Sequence, residues 1–332
     1  MLIFVAIVLA ISVVLAILPM LVSTAPQPGL AAPRELAAKD SRFIEIPFEG
    51  TEGIEIHYRE AGDERRGESG AVNFVLLHGF TFNAFSWSEL FGFFSERGRA
   101  IAYDQPPYGL SAKLAPGDWD GPNPYTRDAA VTQLFALMDA LAIDRAVLVG
   151  NSAGGSLALE AALAHPERVA GLILLDPWVY VRRPTLPRAV AGLPQFARLS
   201  LWLARYLGHS DALLRRSYAD PGRITLQRRR SFGIHASVRN WDLAWGALLL
   251  RSLTDSVAVS ARLSEIVQPT LVVSGSEDRL VPLADSQRLV AALPDASPLV
   301  VLHGCGHVPQ EECPTSAREA ISAWLTDRGV LG

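Results

Sequence analysis

Three residue types that act together in nucleophilic catalysis recur in this chain in a usable order: Ser152, Asp278 and His307. Ser152 is centred in Gly150-Asn151-Ser152-Ala153-Gly154, after the apolar run Ala146-Val147-Leu148-Val149 and before an Ala- and Leu-rich stretch. That context predicts a strand, a sharp turn and a helix, with small neighbours letting strand and helix close up while the hydroxyl points out of the sheet. The G-x-S-x-G pattern alone is weak evidence, since composition yields it in roughly one chain in ten of this length. The alternative is a serine that merely starts a helix. A serine hydroxyl is a poor nucleophile at neutral pH and needs a base, which in turn needs a carboxylate to fix its tautomer. His307 lies in Gly304-Cys305-Gly306-His307, on a glycine-flanked loop just after the last expected strand. Asp278 follows the apolar run Thr270-Leu271-Val272-Val273-Ser274. Glu277 and Asp176 are the other carboxylates placed to orient the base, and a surface pair with Arg279 is the structural alternative for Asp278.

Acyl transfer also develops an oxyanion, which needs donors already in position. His78-Gly79-Phe80 follows the run Asn73-Phe74-Val75-Leu76-Leu77, and the loop it forms is expected to bring the backbone N–H of Phe80 beside that of Ala153. His78 itself reads as a loop-holding hydrogen-bonding group. His57, His165, His209, His235 and His303 fall in an early strand, at a helix end, in the middle segment and at a strand end, where structural roles suffice.

The elements that must carry these groups alternate short apolar runs with amphipathic stretches, which implies a mostly parallel sheet. Strands are expected at 43–48, 54–60, 72–77, 100–103, 146–149, 169–175, 270–274 and 298–302. Helices are expected at 86–97, 127–142, 152–164, 283–292 and 315–327. Between 178 and 262 the alternation stops and helical spacing takes over, as for an inserted cap. Residues 178–256 hold 13 Arg, no Lys and four Asp, a net charge of +9 that leaves −13 for the rest of the chain.

With 332 residues, 49% hydrophobic and 19% charged, the chain can bury a substantial core, and its net charge of −4 gives no reason to expect a nucleic acid partner. Cys305 and Cys313 are free or paired with each other, and neither has the spacing of a zinc site. Cys305 as a rival nucleophile is outweighed by Ser152. No phosphate-cradling glycine loop opens a helix and no histidine pair stands at ligand spacing, so no cofactor and no metal are expected.

Residues 1–22 carry no charged side chain and are long enough to cross a bilayer as a helix. With no basic residue ahead of the run, a retained single-pass anchor is expected over a cleaved signal peptide, although Ser23-Thr24-Ala25 is a tolerable cleavage site that would release a secreted or periplasmic protein. Arg34 and Lys39 follow the run and weakly favour a cytoplasmic catalytic domain. The expected organisation is thus a membrane segment at 1–22, a Pro- and Ala-rich linker at 23–40, a core at 41–177 and 263–332, and a helical cap at 178–262.

With these motifs in hand, the chain resembles the α/β-hydrolase superfamily over nearly all of residues 43–328. The match comprises the His78-Gly79-Phe80 loop, the D-x-P-x-x-G-x-S turn from Asp104 to Ser111, the Gly150–Gly154 elbow, the Gly275–Asp278 turn and the terminal Gly306-His307. Pro107 departs from the usual glycine of that turn. The resemblance implies the α/β-hydrolase fold, an eight-stranded mostly parallel sheet with helices on both faces and an inserted helical cap. Serine at the elbow argues against haloalkane dehalogenases and epoxide hydrolases, which use aspartate there. Gly-Asn-Ser-Ala-Gly-Gly is similar to the elbows of membrane-anchored monoacylglycerol-type lipases and of meta-cleavage product hydrolases, which cut carbon–carbon bonds. An anchor and an apolar-rich cap (Trp202, Tyr206, Trp241, Trp245) favour a lipid or other lipophilic ester substrate and a serine esterase or lipase. Carbon–carbon hydrolysis is the alternative reaction, and a non-catalytic binding protein is the alternative class. The cap arginines are expected to be mostly solvated, with contact to anionic headgroups or capture of a substrate carboxylate as the functional options.

Overall fold

The computed structural model describes residues 17–28, 30–62, 72–180, 185–255 and 259–329. Strands β1 (Ser41–Ile46), β2 (Ile54–Ala61), β3 (Asn73–Leu77), β4 (Arg99–Tyr103), β5 (Ala146–Asn151), β6 (Val169–Leu175), β7 (Thr270–Gly275) and β8 (Val300–Leu302) form one sheet in the order β1-β2-β4-β3-β5-β6-β7-β8. From β4 to β8 every pairing is parallel. β2 runs antiparallel to both β1 and β4. The short link between β1 and β2 can only turn the chain back on itself, whereas the parallel pairs need helical crossovers. Every strand but β6 differs from expectation by one or two residues at one end or both, and two of these shifts have a plain cause. β1 ends before Pro47 rather than at Phe48, and β8 starts at Val300, beyond Pro298; a proline has no N–H to give to a ladder.

Helices α1 (Ser88–Ser95), α2 (Arg127–Ala140) and α3 (Ala153–Ala164) connect the first six strands. Thr126 caps α2 by accepting from Ala129 N–H, and α3 ends ahead of Pro166, whose ring disfavours helical backbone at His165. Between β6 and β7 come α4 (Arg188–Ala191), α5 (Pro194–Gly208), α6 (Ala212–Ser217), α7 (Leu226–Phe232) and α8 (Trp241–Ser252). α9 (Leu283–Ala292) follows β7, and α10 (Pro309–Glu312) and α11 (Pro314–Asp327) follow β8.

The central strands β5, β6 and β7 are buried at nearly every position and mostly apolar because both faces are covered. Leu148, Leu172 and Leu174 face a core shared with α2, α3 and α9. Val147, Val149, Ile173 and Leu175 face the opposite core, with Phe94 of α1 and Ile321 and Trp324 of α11. Each fully buried side chain of this size contributes about 1.5–3 kcal/mol, so the sheet centre is the rigid base on which the strand-end loops stand.

In the helical insertion, α5 packs along α8 with Ser200, Leu201, Ala204 and Gly208 inward. Trp241, Trp245 and Ala204 cluster with Tyr108 of the core. Residues Leu18–Leu21 form a 3-10 turn against α5. Of the run expected to span a membrane, residues 1–16 lie outside the described residues. Among the described residues no helix is long and apolar enough to cross one.

Candidate active site

Ser152 stands at the C-terminal end of β5 with φ 54° and ψ −117°. Such backbone costs a non-glycine residue about 1–3 kcal/mol and persists only where the surroundings impose it. Here Ser152 N–H donates to the Leu175 carbonyl at 3.0 Å, and its own carbonyl accepts from Gly155 and Trp178, each at 3.0 Å. A Cβ on Gly154 would lie 2.1 Å from the Leu77 carbonyl oxygen, so only glycine lets α3 start this close to β3. The outcome is a serine raised out of the sheet at the start of a helix, 7% exposed.

His307 Nδ1 and Asp278 Oδ2 are 2.7 Å apart, with 5% and 1% of their side chains exposed. The second carboxylate oxygen of Asp278 accepts from Leu280 N–H at 2.7 Å and Val281 N–H at 3.1 Å, which fixes its orientation. With Nδ1 engaged, Nε2 is the ring nitrogen left for proton exchange. Ser152 and His307 line one cavity of about 180 Å³ with Phe80, Phe82, Trp178, Leu213, Leu280 and Val281. No direct hydrogen bond joins the two among the described residues. Glu277 is exposed, and its N–H donates to Cys305 O. The pair of Asp278 with Arg279 is not formed; Arg279 donates to the Ala219 carbonyl instead.

Asp176, the other orienting carboxylate considered, sits at the end of β6 next to Asp278 but does not reach His307. Its Oδ1 accepts from Gly275 N–H at 3.0 Å, and Oδ2 has no partner among the described residues. Complete burial, and then the neighbouring Asp278 charge, push its carboxyl well above the usual range, which favours its protonated form.

The Phe80 loop runs beside Ser152: a Cβ on Gly79 would lie 3.1 Å from Ser152 Cβ. Among the described residues neither the Phe80 N–H nor the Ala153 N–H donates to a protein acceptor, which leaves both for an oxyanion. His78 holds this loop. It accepts from Gln105 N–H at Nε2 (3.0 Å) and so donates from Nδ1 to the Gly79 carbonyl (2.8 Å). Burial lowers its basicity, in keeping with a neutral ring.

Four contributors went unrecognised in the sequence. Asn151 Nδ2 donates to the His307 carbonyl at 2.9 Å. Ser217, from the insertion, accepts from His307 N–H at 2.7 Å. Glu312 accepts from Gly306 N–H at 2.8 Å, and Trp178 walls the cavity. Only Asn151, adjacent to the elbow serine, carried a local signal. Cys305 and Cys313 form a disulfide across the His307 loop, with Cα atoms 6.1 Å apart, so Cys305 offers no thiolate.

A second Ser–His–Asp line also exists. Ser41 Oγ and Asp104 Oδ2 each lie 2.7 Å from a ring nitrogen of His57. Asp104 is already saturated by Ala84 and Leu110 N–H, both at 2.6 Å. Burial alone would raise its carboxyl, but the His57 ring, the His78 ring and the Ala84 N–H hold it below the usual value. With His57 and Asp104 wholly buried, this line is a brace between β1, β2 and the turn after β4.

A serine sharing a cavity with an imidazole oriented by a carboxylate, beside two open amides, supplies the groups needed to attack a carbonyl and stabilise the resulting tetrahedral oxyanion. The comparisons agree with that chemistry in outline. The alpha/beta hydrolase family model matches residues 74–320. A 2-hydroxy-6-oxononadienedioate/2-hydroxy-6-oxononatrienedioate hydrolase of Comamonas testosteroni is 33% identical over 293 residues, covering 82% of this chain and 91% of that protein. Among solved structures, a thermophilic esterase from Thermogutta terrifontis superposes with TM-score 0.64 at 24% identity, over 88% of this chain and 100% of the other. The meta-cleavage product hydrolase of Pseudomonas fluorescens IP01 gives 0.64 at 24%, over 86% and 98%. Sheet order, strand-end site and sequence match converge on one assignment: this chain is a member of the α/β-hydrolase family and a hydrolase.

Proposed function

We propose that the chain hydrolyses neutral, lipophilic carboxylic esters through an acyl-enzyme. In this reading Ser152 Oγ attacks the ester carbonyl while His307 Nε2 takes its proton, Asp278 holds the ring, and the N–H groups of Phe80 and Ala153 receive the oxyanion. Collapse of the tetrahedral species expels the alcohol with the proton from His307. Water, deprotonated by the same nitrogen, then releases the acid and restores Ser152.

The observation that carries this reading is the lining of the Ser152 cavity. Apart from Ser152, Ser217 and His307 it is apolar, and among the described residues no arginine or lysine reaches it. A second cavity of about 130 Å³ shares the Phe80 and Trp178 walls. Among the described residues its one cation, Arg127, is paired with Glu160 at 2.6 Å, and Asp255 adds another carboxylate. A substrate carboxylate would be desolvated there without compensation. Most cap arginines considered as carboxylate or headgroup ligands have protein partners instead: Arg205 pairs with Asp242, Arg228 with Glu311, Arg229 with Asp211 and Arg251 with Asp255. Arg182 and Arg183 lie outside the described residues.

A second reading, carbon–carbon hydrolysis, is favoured by the relatives. Several are named for dienoate or dienedioate substrates, and they support it more than they support the ester reading. One assay separates the two. Wild type and Ser152→Ala are labelled with a fluorophosphonate and run on p-nitrophenyl esters of two to sixteen carbons and on a 2-hydroxy-6-oxodienoate. Ester turnover and labelling that vanish together in the variant, with the dienoate inert, support the ester reading. Dienoate turnover exceeding that of every ester replaces it with the second. Failure of both substrates and of labelling would return the chain to a binding role.

We also assign residues 1–22 as a membrane tether. The Cys305–Cys313 disulfide supports an oxidising compartment for the catalytic domain, opposite to the side favoured by Arg34 and Lys39.

A further inference from the structure

We propose that the outer face of α5 docks on a lipid bilayer. The inward face of this helix is spent on α8 through Ser200, Leu201, Ala204 and Gly208. A surface helix of a water-soluble domain should then turn polar residues outward. Instead Leu199, Trp202, Leu203 and Tyr206, spaced i, i+3, i+4 and i+7, are 47%, 52%, 37% and 62% exposed, and the Trp202 and Tyr206 rings are stacked. Of the twelve exposed large hydrophobic residues among the described ones, ten lie between Ile17 and Leu21 or between Val190 and Tyr206. Residues 18–21 lie against α5, so their exposed side chains are neighbours of those on α5.

The chain itself names the occupant. Arg198 donates to the carbonyls of Met20 and Val22, and Arg205 to those of Ser23 and Ala25. The Arg198 bonds fasten the end of the uncharged run 1–22 onto α5, and the Arg205 bonds fasten the start of the linker that follows it. A bilayer that holds this run must pass beside α5, and aromatic residues at such a boundary place an apolar body in the acyl region and a polar edge among headgroups. Because both guanidinium groups point at backbone carbonyls, the face is apolar rather than cationic, and zwitterionic lipid suffices. α8 lies beneath α5 and supplies Leu248 and Ser252 to the cavity that shares Phe80 and Trp178 with the Ser152 site, so docking sets the roof of the site on the membrane that holds a lipophilic ester.

This inference rests on the tether reading, and the experiment separates the two. Full-length protein is reconstituted in phosphatidylcholine vesicles with an environment-sensitive fluorophore on Leu203→Cys or, as control, on Leu226→Cys, an exposed residue outside the patch. Flotation reads the tether. Quenching by lipids spin-labelled in the acyl chain reads the face and is expected to be about tenfold stronger at 203 than at 226. Flotation with equal quenching at both positions overturns the docking face and leaves the tether standing; failure to float overturns both. Shielding of 203 in lipid-free detergent with concentration-dependent dimerisation would assign the face to a second copy and overturn the bilayer. In a second arm, Trp202→Glu/Leu203→Glu is expected to lose about tenfold in turnover of a long-chain ester embedded in the vesicles while keeping the wild-type rate on soluble p-nitrophenyl butyrate. An unchanged vesicle rate counts against docking, whereas the soluble rate reports on the ester chemistry alone.

Discussion

The side-chain amide of Asn151 donates to the main-chain carbonyl of His307 at 2.9 Å and to that of Leu175 at 3.0 Å, so the residue before the proposed nucleophile holds the loop that carries the proposed base. Asn151→Ala removes both donors. Since misplacement of a catalytic group by an ångström can cost about 10²-fold, we expect kcat to fall between about 10- and 100-fold with KM little changed and with slower fluorophosphonate labelling. An unchanged kcat would mean that the loop is held sufficiently by Ser217 and Glu312.

Asp278 and Asp176 end neighbouring strands, yet only Asp278 bonds to His307. Asp278→Asn should lower kcat by about 10³–10⁴, the loss expected when an orienting carboxylate can no longer fix the tautomer, whereas Asp176→Asn should stay within a few-fold of wild type. The two differ in pH behaviour too. Burial and the Asp278 charge raise the Asp176 carboxyl, so its protonated form contributes stability that is whole below the unfolded value of about 3.9 and is lost as pH rises through the raised folded value. Asparagine keeps the neutral shape at every pH. The Tm of Asp176→Asn should therefore gain on wild type as pH goes from 4 to 9, and parallel Tm curves across that range would refute a neutral Asp176.

The parts legible in the sequence were those that local chemistry dictates. Near-continuous apolar runs marked the buried strands, and small residues around Ser152 marked a turn that φ 54° now explains. The loop-holding role of His78 is likewise legible, and its bonds to Gly79 and Gln105 carry it. What stayed hidden depends on long-range placement. Nothing near Ser217 or Glu312 foretells that they grip the His307 loop from 90 and 5 residues away. The antiparallel β2 could not be told from a parallel strand by periodicity. Of the two strand-end aspartates, Asp278 is the one named from the sequence, and the bond at 2.7 Å to His307 agrees with that choice. Cap arginines look alike in sequence, and their acidic partners come from other elements, α1, α8 and α10 among them.

Cys305 and Cys313 close a loop with His307 inside it, at a sequence separation of eight. Loop-closure entropy for a ring of that size is worth about 2–3 kcal/mol. Cys313→Ser should accordingly lower Tm by several degrees and weaken activity, and wild type incubated with a strong reductant should match it. A Tm insensitive to reductant, with both thiols open to alkylation under native conditions, would show that the bridge is not formed in solution.

Glu312 joins the helical insertion to the base. Its carboxylate accepts from Gly306 N–H at 2.8 Å, Ala219 N–H at 2.9 Å and Asp220 N–H at 2.8 Å, while a Cβ on Gly306 would sit 2.5 Å from the Ser217 carbonyl, so loop and insertion touch backbone to backbone. Glu312→Gln turns one acceptor oxygen into a donor facing N–H groups, and each buried donor left unpaired costs about 1–3 kcal/mol. Glu311 supplies the control. It takes the Ser86 and Tyr218 hydroxyls at 2.5 Å and 2.6 Å and the Arg228 guanidinium at 3.1 Å, but no amide of the His307 loop. Both variants should lower Tm, and only Glu312→Gln should also lower kcat on soluble esters, by about tenfold or more. Equal kcat losses in the two would mean that general loosening of the insertion, not this carboxylate, governs how His307 is held.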